Sequence, residues 1–158
     1  MVYNTNKNRQ EHSLDSKMYS PELLDHFRNP RNYGGLDSAD IVYEGVNPLC
    51  GDRIRIELKI RDGSIVAAGF VGDGCAISIA AASMLTELIV GVEIDQGEII
   101  SRERLLLSLK SDIKPSRMKC ALLPLEVLRS GVKIYQQSPA SNRLFSKQAS
   151  EKPNNDSP

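Results

Sequence analysis

The sequence has no excess of charge of either sign and no long apolar run. Its twenty basic and twenty acidic side chains cancel, so bulk charge gives no reason to predict a nucleic acid or an acidic membrane surface as a partner. No segment reaches the roughly eighteen consecutive apolar residues of a membrane-spanning helix. Residues 1–17 also lack the apolar core of a signal peptide. We therefore expect a soluble, cytoplasmic protein with no membrane partner.

The sequence is also poor in histidine and cysteine, and it contains no tryptophan. His12 lies in a polar stretch, and His26 lies near the end of a predicted helix, where a solvated or helix-end imidazole is expected. A Cys-His hydrolase therefore has little support. Nucleotide binding is excluded because Gly72-Asp73-Gly74 lacks the Gly-Lys-Ser/Thr ending of a phosphate loop.

Three cysteines cannot all pair with one another as disulfides. In a reducing compartment, cysteines are metal ligands or reactive thiols more often than structural cross-links. The odd number of cysteines therefore favours metal binding or thiol reactivity over a set of disulfides.

The composition predicts one globular domain between two polar ends. A chain of 158 residues with 41% hydrophobic content can bury one core and is too short for two ordinary domains. Both ends are polar and show no apolar period, which is typical of chain that cannot offset its ordering entropy. We expect a disordered leader over residues 1–17, a domain over residues 18–135 and a flexible tail over residues 136–158.

The apolar spacing predicts an α+β fold with a small antiparallel sheet of about three strands packed on helices. Isoleucine and leucine alternate with charged residues over residues 53–60, Asp62-Gly63 is typical of a hairpin turn, and residues 65–71 return as the partner strand. Residues 41–46 supply a third strand. Helices are predicted from 3.6-residue spacing and capping signals over residues 21–28, 76–90, 101–109 and 120–135.

A proline complicates the last of these helices. In a helix interior, Pro124 would remove a backbone hydrogen bond and clash with the preceding turn. The prediction is therefore that Pro124 marks the first turn of this helix, where proline is tolerated.

All three cysteines lie at junctions between predicted elements. Cys50 precedes one strand of the hairpin and Cys75 follows the other, so antiparallel pairing brings these thiols to the same edge of the sheet. Asp52 follows Cys50 closely and adds an oxygen donor. With Cys120 the set contains three soft thiolates and one harder, more easily exchanged carboxylate, which suits zinc or iron. The sequence thus predicts a three-cysteine metal site at one edge of the sheet.

Two plainer interpretations stand beside this one. Three buried, inert cysteines would show the same spacing, although the glycine and aspartate neighbours argue against it. A structural zinc site is the other. Such sites usually have close Cys-x-x-Cys pairs, whereas these cysteines are spread singly over 25 and 45 residues.

The third cysteine has basic neighbours. Arg117 and Lys119 are predicted to lower the pKa of the Cys120 thiol and to prepare it as a sulfur nucleophile. A solvated basic turn is the alternative interpretation of these two residues. Cys75, at a predicted helix N-terminus that favours a thiolate, is the second choice of sulfur acceptor.

In these segments the chain resembles the IscU/SufU/NifU N-terminal family of iron-sulfur cluster assembly proteins. The resemblance covers residues 18–135, and it implies a compact domain of helices and a sheet. It is carried by YSPELLDHFRNPRNYG at residues 19–34, NPLCGD at 47–52, GDGCAIS at 72–78 and a third cysteine that opens the last helix. Residue by residue, the family's ligand positions are matched by Cys50, Asp52, Cys75 and Cys120.

The third cysteine also indicates the subtype. Lys119 stands where IscU-type members have histidine, and residues 111–115 (SDIKP) stand in place of their LPPVK chaperone-binding motif. Arg117-x-Lys119-Cys120 is similar to the SufU type. The insertion usual in that type is missing between the second and third cysteines, so the chain is SufU-like without the insertion.

The resemblance implies an iron-sulfur cluster assembly protein. Such a protein accepts persulfide sulfur from a cysteine desulfurase and binds iron or a [2Fe-2S] cluster transiently, or zinc, for transfer to apo-proteins. A scaffold or sulfur-transfer protein is implied more than a turnover enzyme. The alternative, from a different class, is a structural zinc-binding interaction module whose cysteines never react.

Overall fold

The structure is a computed structural model that describes residues 18–95 and 97–138. The predicted leader (residues 1–17) and the predicted tail beyond residue 138 lie outside this part of the chain. A 3-10 turn at Pro115–Arg117 leads directly into the last helix. The helices and strands, in chain order, are α1 (Pro21–Arg28), β1 (Ile41–Asn47), β2 (Asp52–Arg61), β3 (Ser64–Asp73), α2 (Ala76–Ile89), α3 (Arg102–Ser108) and α4 (Met118–Gln137).

The three strands form one antiparallel sheet in the order β1, β2, β3, which confirms the predicted α+β fold. On one face of β2, the alternating residues Ile54, Ile56 and Leu58 are completely or almost completely buried. Asp62 and Gly63 both have positive φ angles, 53° and 78°, as the type I′ turn of a tight hairpin requires. Local sequence therefore sets both the pairing and the register of β2 and β3.

Helices α2 and α4 build the core with the sheet. Helix α4 packs on β1 and β2, helix α2 packs on β3, and the two helices pack on each other. The middle of α2 is lined by alanines that are fully buried, and their small side chains allow this close packing. No helix within the described residues combines the length and apolar character needed to cross a membrane.

Pro124 lies inside α4, in its second turn, so its predicted place in the first turn is wrong. The helix begins earlier than predicted, because the turn at Pro115–Arg117 runs into Met118 without a break. Leucines on both sides of the proline, Leu123 and Leu125, are buried against the core. Their packing offsets the local cost of the proline.

His26, in the last turn of α1, connects this helix to α2. Its Nδ1 shares a hydrogen bond with the Ser83 hydroxyl (2.8 Å), whose oxygen accepts one from the backbone N–H of Arg31 (2.8 Å). Its Nε2 lies 3.6 Å from a carboxylate oxygen of Glu87, and the side chain is only 14% exposed. The predicted helix-end imidazole is confirmed, and its ring is mostly buried. Burial lowers the pKa of His26, and the charge of Arg31 lowers it further.

Acidification is expected to destabilise the protein through His26. The unfolded-state pKa is about 6.5, and the folded-state pKa lies below it. The unfolded chain therefore binds the proton more readily, so the stability present above about pH 6.5 is lost as the pH falls toward the folded-state pKa. Urea unfolding at about pH 7.5 and about pH 5.5 should show this loss. His26→Gln should make it smaller, and an equal loss in both proteins would contradict the role of His26.

Candidate metal centre

The turn between β1 and β2 carries Cys50 at its exposed tip. The Asn47 carbonyl accepts hydrogen bonds from the backbone N–H groups of Cys50 (3.3 Å) and Gly51 (2.7 Å). The side-chain oxygen of Asn47 accepts another from the Leu49 N–H (3.1 Å). Gly51 has a φ of 75°, in the left-handed region that favours glycine. The buried Asn47 therefore fixes the turn that carries the exposed Cys50.

Asp52 begins β2 directly after this turn and is 4% exposed. Its Oδ1 accepts a hydrogen bond from the backbone N–H of Cys75 (3.2 Å), and its Oδ2 lies 3.6 Å from the Cys75 Sγ. The contact follows from the register of the hairpin, in which Arg53 pairs with Asp73, so that the chain leaving β3 passes Asp52. The predicted meeting of the Cys50 and Cys75 segments at one edge of the sheet is thus confirmed.

Gly74 and Ser78 fix the position of Cys75 at the start of α2. Cys75 is the N-cap residue of this helix, and its carbonyl accepts a hydrogen bond from the Ser78 hydroxyl (3.1 Å). The Cys75 Sγ lies 3.7 Å from the same hydroxyl oxygen. A Cβ on Gly74 would lie 2.2 Å from the Ser78 Oγ and 3.3 Å from the Asp52 carboxylate. Only glycine therefore allows these groups to come so close.

The sequence-based site did not include Ser78 or Asn47. Both have a signal in the sequence. A serine three residues after an N-cap position can hydrogen-bond back to the cap, and Asn47-Pro48 before a cysteine is typical of a side-chain-stabilised turn.

Cys120 reaches the site from a distant part of the chain. It lies in the first turn of α4 and is 3% exposed. Its Sγ lies 3.6 Å from the Cys50 Sγ. Ligand atoms of Cys50, Asp52 and Cys120 all lie within 4.8 Å of one another, and Cys75 joins this group through its contacts with Asp52. We call the four side chains Cys50, Asp52, Cys75 and Cys120 the Cys3Asp site.

Two donor distances in the Cys3Asp site match those of a tetrahedral metal centre. Sulfur and oxygen donors at roughly 2.3 and 2.1 Å from a tetrahedral ion lie roughly 3.6 to 3.8 Å from one another. The two sulfurs of Cys50 and Cys120 are 3.6 Å apart, and so are the Cys75 sulfur and an Asp52 oxygen. Thiolates suit zinc and iron. The residues present therefore fit zinc, iron or an iron-sulfur cluster.

Two helix N-termini also face this site. Helix α2 begins at Cys75, and Cys120 lies in the first turn of α4. Neither N-cap residue makes a side-chain capping hydrogen bond, whereas Ser20 and Ser101 cap α1 and α3. The backbone N–H groups and dipoles of α2 and α4 are therefore available to favour negative charge on sulfur.

The electrostatics of Cys120 differ from the prediction. Burial raises the pKa of the Cys120 thiol strongly in the metal-free protein, and the negative charge of Cys75 raises it further. The charge of Cys75 also raises the pKa of the neighbouring Arg117, while Lys119 is exposed. Arg117 interacts with the Cys120 thiolate through its charge and a hydrogen bond, but burial outweighs this contact, so the predicted net lowering of the Cys120 pKa is wrong. The thiol is expected to lose its proton when a metal replaces it.

The chain is similar in sequence and fold to several known proteins. Residues 18–142 match the family described as the NifU-like N terminal domain. The chain is 38% identical over 140 residues to the zinc-dependent sulfurtransferase SufU of Bacillus subtilis, with 76% of this chain and 92% of that protein covered. It is 37% identical over 118 residues to the iron-sulfur cluster assembly scaffold protein IscU 1 of Archaeoglobus fulgidus, with 75% and 76% covered.

A solved structure shows the same fold. It is the crystal structure of a candidate iron-sulfur cluster assembly scaffold protein for the SUF system from Fervidobacterium islandicum, which is 25% identical to this chain. The superposition has a TM-score of 0.62 and covers 72% of this chain and 96% of that one. The fold is therefore shared over nearly all of that protein.

Proposed function

Since this chain belongs to the NifU-like N-terminal domain family, we propose that it is an iron-sulfur cluster assembly protein that takes up sulfur and holds metal at the Cys3Asp site. The proposed sulfur donor is the persulfide of a cysteine desulfurase. The proposed cargo is iron or a [2Fe-2S] cluster for delivery to apo-proteins, with zinc as the metal of a sulfur-transfer version. The names of two relatives, a zinc-dependent sulfurtransferase and a cluster assembly scaffold, describe these two versions.

The observation that carries this proposal is the meeting of three single cysteines and one buried carboxylate, with Cys50, Asp52 and Cys120 mutually close and Cys75 in contact with Asp52. Their three chain segments are distant in sequence and converge only in the fold. The site also reaches the surface, because Cys50 is exposed. Structural zinc sites are closed, so a site with an exposed ligand favours exchange of sulfur or metal over a purely structural role.

Cys50 replaces Cys120 as the proposed first acceptor of sulfur. A persulfide carried by another protein must reach the accepting thiol from outside. Cys50 lies exposed on a turn, whereas Cys120 is 3% exposed and its pKa is raised by burial. Cys50 is therefore the thiol that a donor meets first.

The proposed transfer needs no net oxidation or reduction. The Cys50 thiolate attacks the outer sulfur of the donor's R-S-SH group, the donor's S–S bond breaks, and the products are Cys50-S-SH and the donor thiolate R-S⁻. A metal ion held by the Cys3Asp site would supply a positive charge that keeps these thiols deprotonated. The hydrogen bond from the Cys75 N–H holds the Asp52 carboxylate in one orientation beside the reacting sulfurs.

Incubation with a cysteine desulfurase and cysteine tests this function. Mass spectrometry without reductant should show a gain of about 32 Da, one sulfur atom in a persulfide, on a peptide that contains a cysteine of the Cys3Asp site. Pretreatment of the protein with iodoacetamide is the control and should abolish the gain. A protein that gains no sulfur, and that unfolds when a chelator removes its metal, would instead be a structural zinc module.

A further inference from the structure

Pro124 removes one particular hydrogen bond of helix α4. In an α-helix, the N–H of each residue donates to the carbonyl four residues earlier. Proline has no N–H, and its ring presses against that same carbonyl. The residue four positions before Pro124 is Cys120. The hydrogen bond that is missing would have been accepted by the backbone carbonyl of Cys120, a member of the Cys3Asp site.

The start of α4 is weakly held in a second way. Its N-cap residue, Arg117, makes no side-chain capping bond, and neither does Lys114, the N-cap residue of the 3-10 turn before it. Beyond the proline, the helix is fixed to the core by the large buried side chains of Leu125 and Leu128, whereas the buried side chains of its first turn are a cysteine and an alanine. The first turn of α4 (residues 118–121) therefore has fewer backbone ties than the rest of the helix.

We propose that Pro124 is a positioning residue that acts as a hinge and lets the first turn of α4 swing Cys120 out of the Cys3Asp site. Cys120 is 3% exposed and lies 3.6 Å from the Cys50 sulfur, so it must move before it can meet any partner. The lost hydrogen bond lowers the free energy needed for that movement. The use of this movement in handing on metal or sulfur rests on the proposed function, but the movement itself does not.

Thiol alkylation of the metal-free protein measures the movement. Cys120 reacts only when the first turn of α4 opens, whereas the exposed Cys50 reacts without opening and serves as the reference within the same sample. Pro124→Ala restores the N–H, and Pro124→Val restores it while filling more of the space of the ring. We expect Cys120 to react about fivefold more slowly in both variants, because a net backbone hydrogen bond contributes about 1 kcal/mol. The rate at Cys50 should not change.

Pro115→Ala is the matched control. Pro115 is the first residue of the 3-10 turn, where the added N–H has no helical acceptor, so this variant should alkylate as the wild type does. Zinc release to a chromogenic chelator should slow with the two Pro124 variants and stay unchanged with Pro115→Ala. If Cys120 reacts at the wild-type rate or faster in both Pro124 variants, Pro124 is not a hinge. If both variants are less stable to urea than the wild type, Pro124 serves to pack the core, which would also overturn the proposal. None of these readouts needs a sulfur donor, so a failure of the proposed function would be seen separately.

Discussion

Cys50→Ser is expected to abolish sulfur uptake from a cysteine desulfurase, whereas Cys120→Ser is expected to retain it. The serine hydroxyl does not ionise at neutral pH and cannot attack a persulfide. Cys50 is the exposed thiol of the site, and Cys120 is almost completely buried. Peptide mass spectrometry after a single turnover of the donor should therefore find the added sulfur on the Cys50 peptide of the Cys120→Ser variant.

The same pair of variants separates sulfur uptake from metal binding. Cys120→Ser should weaken zinc binding by at least roughly a hundredfold, because it removes one of four ligands and leaves a poor donor. Circular dichroism should show that both variants fold, since serine is close to cysteine in size. Sulfur uptake by Cys50→Ser at the wild-type rate, with the label on the Cys120 peptide, would return the acceptor role to Cys120.

Asp52→Ala is expected to make a bound [2Fe-2S] cluster persist about tenfold longer and to slow its transfer to an apo-ferredoxin by a similar factor. The Asp52 carboxylate is 4% exposed, so its negative charge adds to that of the thiolates with little screening by water. It is also the hardest donor of the set and the one that binds iron least firmly. Removing the Asp52 carboxylate relieves its repulsion with the thiolates and takes away the ligand that exchanges most easily.

Two variants control for other effects of that change. Asp52→Asn keeps an oxygen that can accept the hydrogen bond from the Cys75 N–H and removes the charge alone. Asp73→Ala removes an exposed carboxylate at the end of β3 and should change nothing. The decay of visible absorption, with and without the apo-ferredoxin, gives both rates. Unchanged persistence and transfer in Asp52→Ala would remove the labile-ligand role.

The part of the site formed by the hairpin could be predicted from sequence, because it depends on local patterns. The alternation in β2 and the Asp62-Gly63 turn fix the register, and the register alone brings the segments of Cys50 and Cys75 together. No long-range packing has to be known for this step. For that reason the prediction that the Cys50 and Cys75 segments meet at one edge of the sheet was correct.

The contribution of α4 could not be predicted in the same way. Where Cys120 lies depends on how the whole helix packs on β1 and β2, which no local pattern specifies. The sequence shows the charges of Arg117 and Lys119 but not the burial of Cys120, so the direction of its pKa shift was wrong. Pro124 was misplaced because tertiary packing overrides helix propensity in this helix.

Metal analysis of the purified protein shows whether the four side chains of the Cys3Asp site form one metal centre. The protein is purified anaerobically without added metal, then examined by elemental analysis and visible spectroscopy. We expect about one equivalent of zinc, or iron with the visible absorption of a [2Fe-2S] cluster, and we expect Cys75→Ser and Cys120→Ser each to lose most of it. Equal metal content in the wild type and both variants, or a wild type that binds neither zinc nor iron when they are supplied, would show that these four side chains do not form a metal centre.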